Sequence, residues 1–354
     1  MDKINKIREY LVKNNLDSAI ITKPTNIYYL TNFNCDPHER LLALVIKKDS
    51  LAMLVPAMEY ESAKAKLKVE LELVSYLDTE NGFRKLQNKT GNLEKIAIEK
   101  DYMTVDWLER ISFEFNVSHV ESISSHIIDM RKYKSNDEIE KLKKAANLAD
   151  EAILIARENL KEGITEIELK SIIEFEMKKR YAVNMSFDTI VLFGKNAANP
   201  HGESGETKLR KGDLALFDLG VWYEGYASDE TRTIFFGTPE KEAEKIYEIV
   251  KRANEEAIKH VKPGVSFSYL DKIARDIIEK EGYGEYFNHR LGHGLGLEVH
   301  EYPDVSSATS DLLEENMVFT IEPGIYKPGI AGVRIEDDIV VTKDGYMVLT
   351  KTEK

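Results

Sequence analysis

The chain carries one cysteine, Cys35, so no internal disulfide can form, and the lone thiol points to a reducing, cytoplasmic setting. No run approaches the roughly 18 apolar residues that a membrane-spanning helix requires. The opening stretch Met1-Asp-Lys-Ile-Asn-Lys6 lacks the apolar core of a signal peptide. Positive charge is in deficit: 49 Lys and Arg against 62 Asp and Glu give a net charge of −13, which argues against nucleic acid or an anionic membrane as a partner. What remains is an ordinary soluble composition over 354 residues, long enough for two domains.

The first third alternates helix and strand patterns. Ile4, Ile7 and Leu11 recur at helical spacing, Ser18–Ile21 reads as a buried strand, and Leu41–Ile46 and Leu51–Val55 read as strands joined at Lys47–Ser50. Helices are expected over 58–66, 81–89 and 101–110, with a strand at Ile96–Glu99. Alternation of this kind predicts an α/β domain, bounded here at residues 1–126. A second domain, 127–354, opens on a charged segment leading into a long helix that Asn136 is placed to cap. Between apolar runs of the first domain lies a charged, Pro-containing loop, Asp36-Pro-His38-Glu-Arg40.

The second domain repeats itself. Lys161-Glu-Gly-Ile-Thr165 recurs as Lys262-Pro-Gly-Val-Ser266, each between two helical segments. The first copy runs into Asp213–Asp218 and the second into Met317–Glu322, so Asp218 matches Glu322, and Asp229 matches Glu336. Two helices and a hairpin with two carboxylates per half predict a fold about a pseudo-twofold axis, with four carboxylates facing across it. A turn at the midpoint, Tyr223-Glu224, sets Asp218 and Asp229 across an antiparallel pair. Opposed like charges in apolar strands demand a cation or a shared proton. His293, flanked by Gly292, Gly294 and Gly296, has little local packing to explain it, and such glycines let backbone pass close to a ligand. Four carboxylates and one imidazole suit two divalent ions: manganese, iron, cobalt or zinc.

The stretches Asp218-Leu-Gly, Ser228-Asp-Glu-Thr-Arg-Thr233, Gly292-His-Gly-Leu-Gly296 with Val299-His-Glu301, Ile321-Glu-Pro-Gly324 and Val333-Arg-Ile-Glu336 resemble, in order, the motifs of the pita-bread metallopeptidases, among them methionine aminopeptidase, aminopeptidase P and prolidase. The first domain resembles the creatinase/prolidase N-terminal domain. The resemblance implies an α/β two-domain chain with a C-terminal pita-bread (α+β) catalytic domain. It also implies two divalent metals, manganese first, on Asp218, Asp229, His293, Glu322 and Glu336, and a homodimer. The expected reaction is hydrolysis of the peptide bond before proline in short proline-containing peptides by a hydroxide shared between the metals.

In the same terms Glu322 is the proton carrier, His201 and His300 position substrate and oxyanion, and Arg334 steadies a metal carboxylate. Asp36, His38 and Arg290 resemble a charged cluster at the substrate's N-terminal side. The arginine that some archaeal-type prolidases carry just after the His-Glu motif is missing at Pro303-Asp304, which leaves an aminopeptidase P acting on longer peptides as the alternative. Relatives that have become metal-free peptide-binding modules lack several of the five ligands, all of which are present here.

Overall fold

The structure is a computed structural model that describes residues 3–200 and 202–354. The chain divides into two compact units, Met1–Arg131 and Lys132–Lys354. In chain order the first unit runs α1 (Lys3–Lys13), β1 (Ser18–Ile21), α2 (Pro24–Thr31), β2 (Ala43–Lys47), β3 (Leu51–Pro56), α3 (Tyr60–Lys66), β4 (Glu72–Tyr76), α4 (Gly82–Thr90), β5 (Lys95–Ile98), α5 (Val105–Phe115) and β6 (His119–Ser122), followed by α6 (Ser124–Lys132). Its six strands form one mixed sheet in the order β4-β3-β2-β1-β5-β6, with β1 antiparallel to β2 and parallel to β5. The helix expected over 101–110 begins instead at Val105, because Thr104 caps it by accepting the Trp107 N–H at 3.2 Å.

Glu99, just past β5, is fully buried and accepts from the N–H groups of Thr22 (2.7 Å) and Lys23 (2.9 Å) and from Asn26 Nδ2 (2.6 Å). Burial outweighs these bonds and raises its pKa. A raised carboxyl pKa stabilises the fold below the ordinary carboxylate range, and that stability is lost as pH rises through the raised value. In Glu99→Gln, protection of the β5 amides from hydrogen exchange should therefore lose part of its decline with rising pH. An unchanged decline would remove Glu99 from the account.

The second unit opens on α7 (Asn136–Glu158). Its cap is Ser135, not Asn136: the Ser135 hydroxyl accepts from Glu138 N while the Glu138 carboxylate accepts from Ser135 N, a reciprocal pair that satisfies two free amides. There follow α8 (Glu166–Tyr181), β7 (Ile190–Phe193), β8 (Leu214–Leu219), β9 (Trp222–Tyr223), β10 (Tyr226–Ala227), β11 (Glu230–Phe235), α9 (Lys241–Lys259), α10 (Phe267–Lys280), β12 (Gly292–Gly294), β13 (Glu301–Val305), β14 (Val318–Ile321), β15 (Gly324–Lys327), β16 (Ala331–Arg334), β17 (Asp337–Val341) and β18 (Tyr346–Val348). The strands form sheets β11-β8-β7 and β13-β12-β14-β17-β18, with two-stranded ribbons β9–β10 and β15–β16.

The repeat is visible in matching hydrogen bonds. Gly163 N donates to Leu209 O and Gly264 N to Leu313 O, each at φ 86°, and Thr165 and Ser266 cap α8 and α10. Each helix pair covers its own sheet with an apolar core. Among the described residues no helix is long and apolar enough to cross a membrane.

Candidate metal centre

Asp218 is the fifth of the six residues of β8, and Asp229 directly precedes β11. The turn falls at Glu224-Gly225, one residue later than the midpoint expectation, since a two-residue type I′ turn needs positive φ at both positions and these have 45° and 77°. Asp218 therefore faces Thr231, and Asp229 is diagonal to it rather than opposite. Gly220 is required where the arms close up: a Cβ there would lie 1.9 Å from Ser228 O.

His293 is central in β12. Its flanking glycines serve neighbouring backbone rather than a ligand: a Cβ at Gly292 would meet Thr320 O at 2.0 Å and one at Gly294 would meet Tyr302 O at 2.6 Å. Glu322 and Glu336 stand at the two breaks where the β15–β16 ribbon leaves β14 and rejoins β17. Pro328-Gly329 makes the ribbon's turn, whereas Pro323-Gly324 marks its departure and makes no turn of its own.

These side chains converge. Ligand atoms lie within 4.8 Å of one another in three sets: Asp218, Asp229 and Glu336; His293, Glu322 and Glu336; and Asp229, His293 and His300. Atoms bound to one ion at about 2.0–2.2 Å are necessarily this close together. Asp218 Oδ1, Asp229 Oδ1 and Glu336 Oε1 are buried without a hydrogen-bond partner among the described residues. Burial, then Glu336 and Asp218, push the Asp229 carboxyl well above its usual range, and burial, then Glu322 and Asp218, do the same to Glu336. Burial lifts Glu322 to about 7 against the pull of Arg334.

His293 Nε2 stands 3.4 Å from Glu322 Oε1 and 3.6 Å from Asp229 Oδ2, but burial and then His300 lower its pKa to about 3, so these contacts are not ion pairs. Nδ1 lies 3.1 Å from Gly294 O, and the tautomer that donates there leaves the Nε2 lone pair toward the carboxylates. Orphaned carboxylate oxygens beside a neutral imidazole fit divalent ions.

Other residues brace the cluster. Thr231 Oγ1 donates to Glu336 Oε2 (2.7 Å), and Asp338 Oδ2 accepts from Asp229 N (3.2 Å). Arg334 pairs with Asp218, and its Nη1 donates to the Tyr326 hydroxyl (2.7 Å). That hydroxyl lies 3.1 Å from His289 Nε2. Sequence reading left Tyr326 and His289 without a role, although His289, four residues before His293, stood in the same glycine-rich stretch.

A cavity of about 530 Å³ opens on the cluster, lined also by Phe187, Ile190, Pro200, Val299, His300 and Arg290. His300 packs edge-on against His293 with ring centres 4.0 Å apart. Arg290 is paired with Asp304. Asp36 and His38 are exposed in the first unit, His38 Nδ1 being 3.5 Å from Asp36 Oδ2. His201 lies outside the described residues.

Comparison with known proteins accords with this geometry. The profile described as metallopeptidase family M24 matches residues 140–343, and that of the creatinase/prolidase N-terminal domain matches residues 3–133. An uncharacterized peptidase from Staphylococcus epidermidis is 52% identical over 356 residues, covering 100% of both chains. The prolidase from Pyrococcus horikoshii OT3 is 40% identical with a TM-score of 0.93, covering 100% of this chain and 99% of its own. The X-Pro aminopeptidase from Thermotoga maritima MSB8 is 32% identical with a TM-score of 0.88, covering 98% of each. With its carboxylate–imidazole cluster at the breaks of a duplicated fold, the chain belongs to metallopeptidase family M24, the pita-bread peptidases, and carries a creatinase/prolidase-type N-terminal domain.

Proposed function

We propose that the chain is an Xaa-Pro dipeptidase whose metal centre is Asp218, Asp229, His293, Glu322 and Glu336. The observation that carries this is the convergence of these side chains at a cavity with an apolar wall of Phe187, Ile190, Pro200 and Val299, a surface suited to a proline ring. Two divalent ions held there, manganese before cobalt, zinc or iron, would polarise the scissile carbonyl and acidify water. Glu322 takes the proton of the attacking water and returns it to the departing proline nitrogen. His300 and His201 orient the substrate and donate to the developing oxyanion. Arg334 works through Asp218, whose carboxylate it holds. The same reading carries short proline-containing peptides as substrates and a homodimeric assembly.

A second reading, aminopeptidase P, is favoured by one observation. Both arginines lining the cavity already have carboxylate partners, Arg334 with Asp218 and Arg290 with Asp304, so a dipeptide's own carboxylate must compete for Arg290. The two readings separate on hydrolysis of Xaa-Pro against Xaa-Pro-Xaa by the manganese-loaded protein. We expect the dipeptide to be the better substrate by about tenfold or more in kcat/KM, since a terminal carboxylate–arginine contact contributes on that scale. Preference for the tripeptide would replace the dipeptidase reading with the aminopeptidase one.

A further inference from the structure

Glu322 follows Ile321, the last paired residue of β14, and Glu336 follows Ile335, between β16 and β17. Their own amides are paired, Glu322 N with Leu291 O (2.8 Å) and Glu336 N with Thr231 O (3.1 Å). The carbonyls immediately before them, Ile321 O and Ile335 O, both accept from one side chain: Asn254 Nδ2, at 2.9 and 3.2 Å. Asn254 sits inside α9 with 0% exposure, in a turn whose other inward residues, Val250, Ala253 and Ala257, are apolar.

An asparagine is a poor helix former, and an amide buried in an apolar core is costly unless every group is bonded. Here every group is engaged. Asn254 Oδ1 accepts from Lys354 Nζ (2.6 Å), and the same ammonium lies 2.7 Å from Asp337 Oδ2, on the residue after Glu336.

We infer that Asn254 is a positioning residue for the metal centre: its single amide group fixes the separation of the two backbone carbonyls next to which Glu322 and Glu336 project. It touches neither the metal position nor the substrate cavity and acts through the two glutamates. This goes beyond the substrate assignment and rests only on the metal centre of the proposed function. Loss of a group that orients metal ligands lowers metal affinity by about tenfold to a hundredfold.

The test compares the full-length protein with Asn254→Asp, which keeps the shape and loses the donor, and with Val250→Ala, which weakens the same helix without touching either carbonyl. The readouts are manganese affinity, the visible spectrum of the cobalt form, and the rise in Tm on adding manganese. In Asn254→Asp we expect affinity to fall about tenfold or more, the cobalt spectrum to change, and the manganese-induced rise in Tm to shrink. Val250→Ala should lower Tm equally with and without metal and leave affinity and spectrum alone.

Wild-type affinity and spectrum in folded Asn254→Asp would overturn the inference, leaving Asn254 a stabilising core residue. Should that variant not fold, Asn254→Ser, which removes both Nδ2 bonds without adding a charge, is read in the same way. A loss of affinity supports the inference and an unchanged affinity overturns it. Metal binding without Xaa-Pro cleavage in the unsubstituted protein would count only against the substrate assignment. Absence of metal binding there would remove both.

Discussion

Glu322→Gln should leave a folded protein that turns over Xaa-Pro substrates about a thousandfold more slowly, within the usual range for loss of a general acid–base group. Glu322 is the carboxylate of the centre that burial lifts to about 7 in the metal-free fold. It is also the one whose Oε1 lies 3.4 Å from the imidazole of His293 and 3.3 Å from the Thr320 hydroxyl. Glutamine fills the same volume and can still accept from Thr320, so far-UV circular dichroism and the metal-free Tm should change little. It cannot take up a proton near neutrality. Removing one of several crowded carboxylates also relieves repulsion, so the metal-free variant should be no less stable than the parent. Kinetics and metal analysis on the same sample separate the roles. Lost turnover with retained metal supports proton transfer, and turnover within about tenfold of wild type would exclude it.

The ligand candidates were legible because the chemistry that makes them costly also makes them conspicuous. Asp218 interrupts an apolar strand, His293 stands among glycines, and Glu322 matches Asp218 across the repeat. What was not legible depends on contacts made far along the chain. Nothing near Tyr326 announces that its hydroxyl will stand between Arg334 and His289. Asp338 braces Asp229 over a separation of 109 residues, where Glu336 N also donates to Thr231 O. The glycines around His293 could be noticed but not interpreted, because their reason is the carbonyl oxygens of Thr320 and Tyr302 on adjacent strands.

Local rules also competed. Ser135 and Asn136 are both good cap residues, and only the reach of Glu138 back to Ser135 N decides between them. The hairpin turn moved by one residue because Glu224 accepts a left-handed conformation that favours glycine, and that shift turned an opposed pair of aspartates into a diagonal one.

Binding of divalent ions should release protons, and the metal-free protein should lose stability as pH rises. In the metal-free fold Asp229 and Glu336 have pKa values well above the ordinary carboxylate range and Glu322 sits at about 7, burial being the largest cause for each. The folded state therefore binds more protons than the unfolded chain at neutral pH, so its stability is greatest below the unfolded pKa of about 4 and declines as pH climbs through the raised values. His293 acts in the opposite sense: its pKa of about 3 costs stability as pH falls below the ordinary histidine value. Above about pH 6.5 that opposition has ended, so between about pH 6.5 and 8 the buried carboxylates, these three together with Glu230 and Asp338, should set the slope. A divalent ion replaces the protons and reverses the penalty, as ligand deprotonation requires. Calorimetric titration with manganese in buffers of different ionisation enthalpy should show buffer-dependent heats, and the Tm gained on adding metal should grow from pH 6.5 to 8. Heats independent of buffer, together with a flat or rising Tm of the chelated protein over that interval, would show that these carboxylates are already ionised without metal. The unpartnered oxygens of Asp218, Asp229 and Glu336 would then need a source of stability other than a bound cation.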